Sequence, residues 1–144
     1  MCNTSDRGIS FAVFAVEQGD STAYFTVTWL PPGQRVMVLA MEQKPYTREQ
    51  ITDCRLLGIR WEQFDSLPLT VQLAENNGLV VTNTSTRRLE GVQLRYKWYM
   101  EEYGLYFGGI THCVLLPTLE AGEQCLLYPE NYGPDTAQIV AKTK

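Results

Sequence analysis

Between Leu69 and Met100 apolar and polar residues alternate in three successive runs. Leu69, Val71 and Leu73 are interleaved with Thr70 and Gln72. Asn76-Asn77-Gly78 separates this run from a second, Leu79 to Asn83, and the polar stretch Thr84 to Arg88 separates the second from a third. A period of two sends successive side chains to opposite faces, so each run predicts a strand. Asparagine and glycine tolerate positive φ, which predicts a hairpin at Asn76-Asn77-Gly78. In the third run Val92, Leu94, Tyr96, Trp98 and Met100 face one way. Gln93, Arg95, Lys97, Tyr99 and Glu101 face the other. That contrast predicts a strand over 91–101, core on one side and solvated on the other.

The same reasoning predicts strands over 9–16 and 22–30, the second with Ala23, Phe25, Val27 and Trp29 on one face. Pro31-Pro32 ends it, because proline cannot donate to a ladder. Residues 35–41 are apolar at both parities, as in a strand buried between layers. Lys44-Pro45-Tyr46-Thr47 reads as a loop, and Thr47 with Gln50 three residues on can cap one helical turn. A weaker strand over 52–61 contains Gly58, which suggests a bulge. Strands follow over 110–116, 123–128 and 137–142. Helical periodicity is not sustained anywhere, and no repeat or linker is evident. The pattern predicts one all-β domain over 1–144, an antiparallel β-sandwich of about eight to ten strands.

Composition narrows the partners. The chain has 144 residues, 44% apolar and 19% charged, which is the profile of a globular domain. Its net charge is −4, and no Lys/Arg run exceeds Arg87-Arg88, so no nucleic-acid partner is expected. No apolar run approaches the ~18 residues of a membrane span. The first residues carry neither a basic nor an apolar signal region, and a strand begins almost at once. This reads as a chain trimmed of any leader or anchor. Cys2, Cys54, Cys113 and Cys125 have no metal or redox spacing. Buried free thiols are the simpler expectation, with a Cys113–Cys125 bridge as the alternative.

Candidate chemistry is sparse. His112 is the single histidine, and any Ser-His or Cys-His site would need it as base. It precedes Cys113 directly, and strand neighbours point apart. Glu101-Glu102 diverge likewise, and Glu120 and Glu123 sit in a turn, unlike the converging carboxylates of a glycosidase. Gly108-Gly109 lacks phosphate-loop spacing. Asn3-Thr4-Ser5 and Asn83-Thr84-Ser85 match the glycosylation tripeptide, but such side chains also bond the local backbone at turns. No catalytic residue, metal site or cofactor is expected. The sharpest feature is aromatic. Tyr96 and Trp98 fall on the core face and Tyr99 opposite them. Tyr103, Tyr106 and Phe107 fall in a glycine-flanked tip expected to be exposed. Tyr99, Tyr103, Tyr106 and Phe107 therefore form the candidate binding surface for a protein or a glycan.

Several motifs are shared with a known group. They are Leu79 to Ser85, Leu89 to Lys97, Gly108 to Thr111, Leu119-Glu120-Ala121-Gly122-Glu123, Ile139-Val140, and Phe25 to Gly33. In these the chain resembles the immunoglobulin-like, FxLYD-type extracytoplasmic domains of Gram-positive (Firmicutes) envelope proteins. The resemblance covers most of the chain and implies an immunoglobulin-like sandwich. It also implies a non-catalytic binding or structural module outside the cell or at its envelope. Membrane contact would come only through an anchor absent from this chain. The other reading is a carbohydrate-binding sandwich that uses loop aromatics. The resemblance supplies no catalytic residues.

Overall fold

The computed structural model describes residues 1–40, 51–64 and 67–144. The protein is all-β, with eleven strands in three sheets and no α-helix among the described residues. The strands are β1 (Gly8–Gln18), β2 (Ser21–Leu30), β3 (Val36–Met37), β4 (Ile51–Glu62), β5 (Leu69–Leu73), β6 (Leu79–Asn83), β7 (Gln93–Met100), β8 (Leu105–Phe107), β9 (His112–Leu115), β10 (Gln124–Leu127) and β11 (Ala137–Thr143). The Lys44–Thr47 loop and the capped turn at Thr47 lie outside the described residues.

Each segment expected to be a strand contains one, with three local corrections. Of residues 35–41, those described, 35–40, hold only the two-residue β3, and Met37 and Leu39 are exposed, so these residues are not buried between layers. In β2 the alternation breaks at Trp29, whose φ is 50°. The break turns Leu30 fully inward and leaves Trp29 half-buried. β8 lies in the stretch read as an exposed tip. The expected irregularity at Gly58 is present as a register shift, with Val13 opposite Gly58 and Phe14 opposite Leu56. At the β5–β6 hairpin Asn76 and Asn77 adopt φ of 54° and 60°. Gly78 is extended there, and a Cβ on it would stand 3.0 Å from Tyr128.

The chain forms two compact units. The first comprises Met1–Gln63 with Gly104–Ile110. In it β1 lies between β2 and β4, antiparallel to both. β3 pairs parallel with β8. Ile9, Ala12, Val27, Leu30 and Val36 are buried in it. The second comprises Phe64–Tyr103 with Thr111–Lys144. There β7 lies between β9 and β11, and β6 lies between β10 and β5. Both sets of strands contribute to one apolar cluster that includes Leu69, Leu79, Val81, Val92, Leu94 and Leu116.

The two units repeat one plan, which corrects the reading of a chain without internal repeat. Ile9 opposite Leu30 in the first matches Leu89 opposite Leu119 in the second. At the same spacing, Phe14–Phe25 matches Leu94–Val114, and Val16–Ala23 matches Tyr96–His112. Cys2 opposite Arg35 matches Thr82 opposite Gln124. The most specific correspondence is a buried asparagine corner. Asn83 Nδ2 donates to the carbonyls of Arg87 (2.7 Å), Leu119 (3.1 Å) and Glu120 (3.0 Å), while its Oδ1 accepts from the Ser85 amide and hydroxyl. Asn3 Nδ2 donates to Arg7 (2.8 Å), Leu30 (3.2 Å) and Pro31 (3.1 Å), with the same acceptance from Ser5. Burying a polar side chain is tolerable only when its donors and acceptor are used, and both corners meet that condition. Asn3-Thr4-Ser5-Asp6-Arg7 and Asn83-Thr84-Ser85-Thr86-Arg87 are thus structural corners. Their amides are engaged with backbone and are not presented for glycosylation.

Candidate functional site: an aromatic cleft in the second unit

The long strand β7 builds the site. Its inward residues Leu94 and Tyr96 are buried as the alternation requires, but the pattern fails at its far end. Lys97, expected on the solvated face, is fully buried at 0% exposure, and Trp98, expected in the core, is 43% exposed. The Lys97 ammonium donates to Thr111 Oγ1 at 3.1 Å. Burial disfavours its charged form and lowers its pKa to about 8.

Tyr96 and Trp98 flank the ring of His112, their neighbour on β9. The Tyr96 and His112 rings are stacked with centroids 5.3 Å apart, and Trp98 lies 5.5 Å from His112 at a tilt of 40°. Tyr132 meets Tyr96 edge-on at 5.5 Å. The loop after β10 closes this corner from above. Tyr96 Oη donates to the Glu130 carbonyl and Trp98 Nε1 to the Asn131 carbonyl. Burial, then the charges of Glu130 and Cys113, pushes the Tyr96 phenol up, and burial raises Tyr132 as well. Between strand and loop opens a cleft of about 270 Å³, lined by Tyr96, His112, Cys113, Tyr128, Pro129 and Glu130. Tyr128 is exposed at this cleft. Ring faces with a few polar groups around them suit stacking and hydrogen bonding to a ligand.

The four residues expected to form a binding surface do not share one environment. Tyr106 is 4% exposed and pairs with Val36, so the exposed tip is corrected at this residue. Its amide donates to the Arg35 carbonyl at 2.8 Å, and that of Gly108 to Met37 at 2.7 Å. Phe107 is half-buried opposite Met37. Gly109 fixes the segment. Its carbonyl accepts from the Thr28 amide (3.1 Å) and hydroxyl (2.7 Å), and a Cβ on it would stand 2.0 Å from the Thr26 carbonyl oxygen. Tyr103 is 57% exposed in the second unit. Tyr99 lines a second cleft of about 310 Å³ with Glu101 and Asp135.

The alternation pattern missed Tyr128 and the exposed face of Trp98. Their presentation depends on how the Pro129–Asn131 loop folds over β7, which no local period encodes. The cysteines are free: Cys2, Cys54 and Cys113 are exposed and Cys125 is half-buried. The expected burial is therefore corrected at Cys54 and at Cys113, because β4 is exposed along most of its length and Cys113 is an exposed position of β9. Among the described residues no group of three His, Cys, Asp or Glu side chains is placed to hold a metal.

No family model, curated protein or solved structure matches the chain.

Proposed function

We propose that this chain is a non-catalytic binding module acting outside the cell or at the bacterial envelope, with an immunoglobulin-like sandwich as its topology. The observation that carries the reading is a pair of exposed large aromatics, Tyr128 lining the cleft and Trp98 packed against His112 of its wall. Exposed aromatics on a rigid frame bind partners at low entropic cost. His112, the one histidine, is packed between Tyr96 and Trp98, which favours a wall of the cleft over a general base. Envelope location rests on the sequence resemblance. The two asparagine corners account for the Asn-Thr-Ser and Leu-x-x-Gly motifs as elements of the fold.

A second reading, carbohydrate binding, is favoured by the exposed indole of Trp98, since sugar rings stack on such faces. One experiment separates the two partners. Isolated Gram-positive cell walls are sedimented with the full chain, before and after protease treatment of the walls. Saturable binding to both preparations supports a glycan ligand. Binding lost on protease treatment supports a protein partner. Absence of binding to either preparation would overturn the envelope reading.

A further inference from the structure

The aromatic cleft of the second unit carries negative charge with no cation to match it. Glu130 lines it and is exposed, and none of the residues around it is lysine or arginine. Among the described residues the Glu130 carboxylate is in no ion pair. Its charge is felt inside the cleft: after burial, the negative charges of Glu130 and Cys113 push the Tyr96 phenol up. Two donors of the surrounding rings are already spent on the loop, Tyr96 Oη on the Glu130 carbonyl and Trp98 Nε1 on the Asn131 carbonyl. The Cys113 thiol is turned to Gln93 Oε1, 3.6 Å away. A carboxylate and the exposed ring of Tyr128 are therefore offered together. The turn that presents them is fixed. Asn131 adopts a φ of 57°, the Tyr132 amide donates to the Pro129 carbonyl at 3.4 Å, and the two ring donors hold the loop to β7. A ligand meets the carboxylate without having to order the loop. The cleft, about 270 Å³, lies at the foot of the range for small-molecule pockets, which suits a single side chain.

We propose that this cleft is a site for a guanidinium group, the arginine side chain of a partner polypeptide. The inference rests on the reading of the cleft as a binding site and names the ligand. The guanidinium stacks on the Tyr128 ring, and its N–H groups donate to the Glu130 carboxylate. An aromatic face attracts a cation through its quadrupole. A planar guanidinium is more weakly hydrated than an ammonium, and it joins stacking to a paired bond with a carboxylate, so arginine is favoured over lysine. A neutral glycan would use the ring and leave the Glu130 charge unmatched.

The probe is the end-blocked peptide Gly-Ser-Arg-Ser-Gly, titrated into the full chain and followed by the NMR signals of the Trp98 indole and the amides of Tyr128 and Glu130. Matching peptides carry lysine or citrulline, the neutral isostere of arginine, at the centre. The proposal expects saturable shifts at the cleft, with arginine bound about tenfold more tightly than citrulline and more tightly than lysine. Added salt should weaken the arginine peptide and leave the citrulline peptide unchanged. Glu130→Gln should weaken arginine about tenfold without affecting citrulline, at an unchanged melting temperature. Tyr128→Leu should weaken arginine several-fold. No saturable shift with arginine, or shifts only outside the cleft, would overturn the proposal. Equal affinity for arginine and citrulline would also overturn it, and would favour a neutral ligand such as a glycan. The wall assay separates this inference from the reading beneath it. If Glu130→Gln binds walls as well as the unsubstituted chain while Trp98→Ala does not, the arginine site falls and the cleft remains a binding site. If no variant binds walls but the peptide preference holds, the envelope reading falls and the arginine site stands.

Discussion

Asn3 and Asn83 occupy the same corner of two repeated units, and each amide bonds three backbone carbonyls of its own unit. Each ties the loop after one strand to the turn after another, so it fixes how the two parts of its unit close. Asn83→Ala strands buried carbonyls, at about 1–3 kcal/mol for each group left unsatisfied. A total loss of about 3 kcal/mol is expected in urea unfolding. Asn83→Asp should be worse at neutral pH, because an ionised carboxylate facing carbonyls cannot donate. Ser85→Ala removes a smaller share, about 1 kcal/mol.

Lys97 makes stability depend on pH. Its folded pKa, about 8, lies below the usual lysine value of 10.5, so the unfolded chain binds more protons between those limits. The cost of burying the charge is fully present below pH 8 and is relieved as pH rises. Cys125, held up by burial and by Glu123, opposes this above its ordinary value of 9.0, and Tyr96 and Tyr132 oppose it above 10.0. The window in which Lys97 acts alone among these groups is pH 8 to 9. Stability measured by denaturant midpoint should climb across it, and Lys97→Met should flatten the climb.

Gly109→Ala tests the seating of β8. The added methyl meets the Thr26 carbonyl at 2.0 Å, and backbone cannot yield as a flexible side chain does. Overpacking of this kind typically costs about 1–3 kcal/mol. The loss should be accompanied by faster amide exchange at Tyr106 and Gly108, whose bonds to Arg35 and Met37 depend on that seating.

Thiol titration of the native protein with an aromatic disulfide should find Cys2, Cys54 and Cys113 reacting quickly and Cys125 slowly. Burial and Glu123 hold the Cys125 thiol protonated, and only the thiolate attacks. All four should count after unfolding without reductant. A count of two would establish a bridge.

The alternation of apolar residues made the strand positions legible, because burial on one face leaves a period of two in sequence. β6 matches its expected range, and β5 and β7 lie within theirs. Partnership between strands was not legible. The repeat is carried by register and by a few residues, Asn-Thr-Ser-x-Arg and Leu-x-x-Gly, while the strands between share little beyond parity. β8 escaped notice because three residues between glycines read equally well as a tip. At the site, Tyr96 was placed correctly, whereas Lys97 and Trp98 were interchanged in burial. A strand period assigns faces but cannot say which face another segment covers.

The central claim is that Trp98 serves a partner and not the core. The direct measurement is sedimentation of Trp98→Ala and of the unsubstituted chain with isolated cell walls, alongside the melting temperature of each. Tyr96→Ala, a buried truncation on the same strand, provides the core reference and should cost about 3–5 kcal/mol. The account predicts that Trp98→Ala melts within a few degrees of the unsubstituted chain, at a cost of about 1 kcal/mol, and binds walls about tenfold more weakly. Equal wall binding by the two, or a loss of stability in Trp98→Ala matching that of Tyr96→Ala, would contradict it.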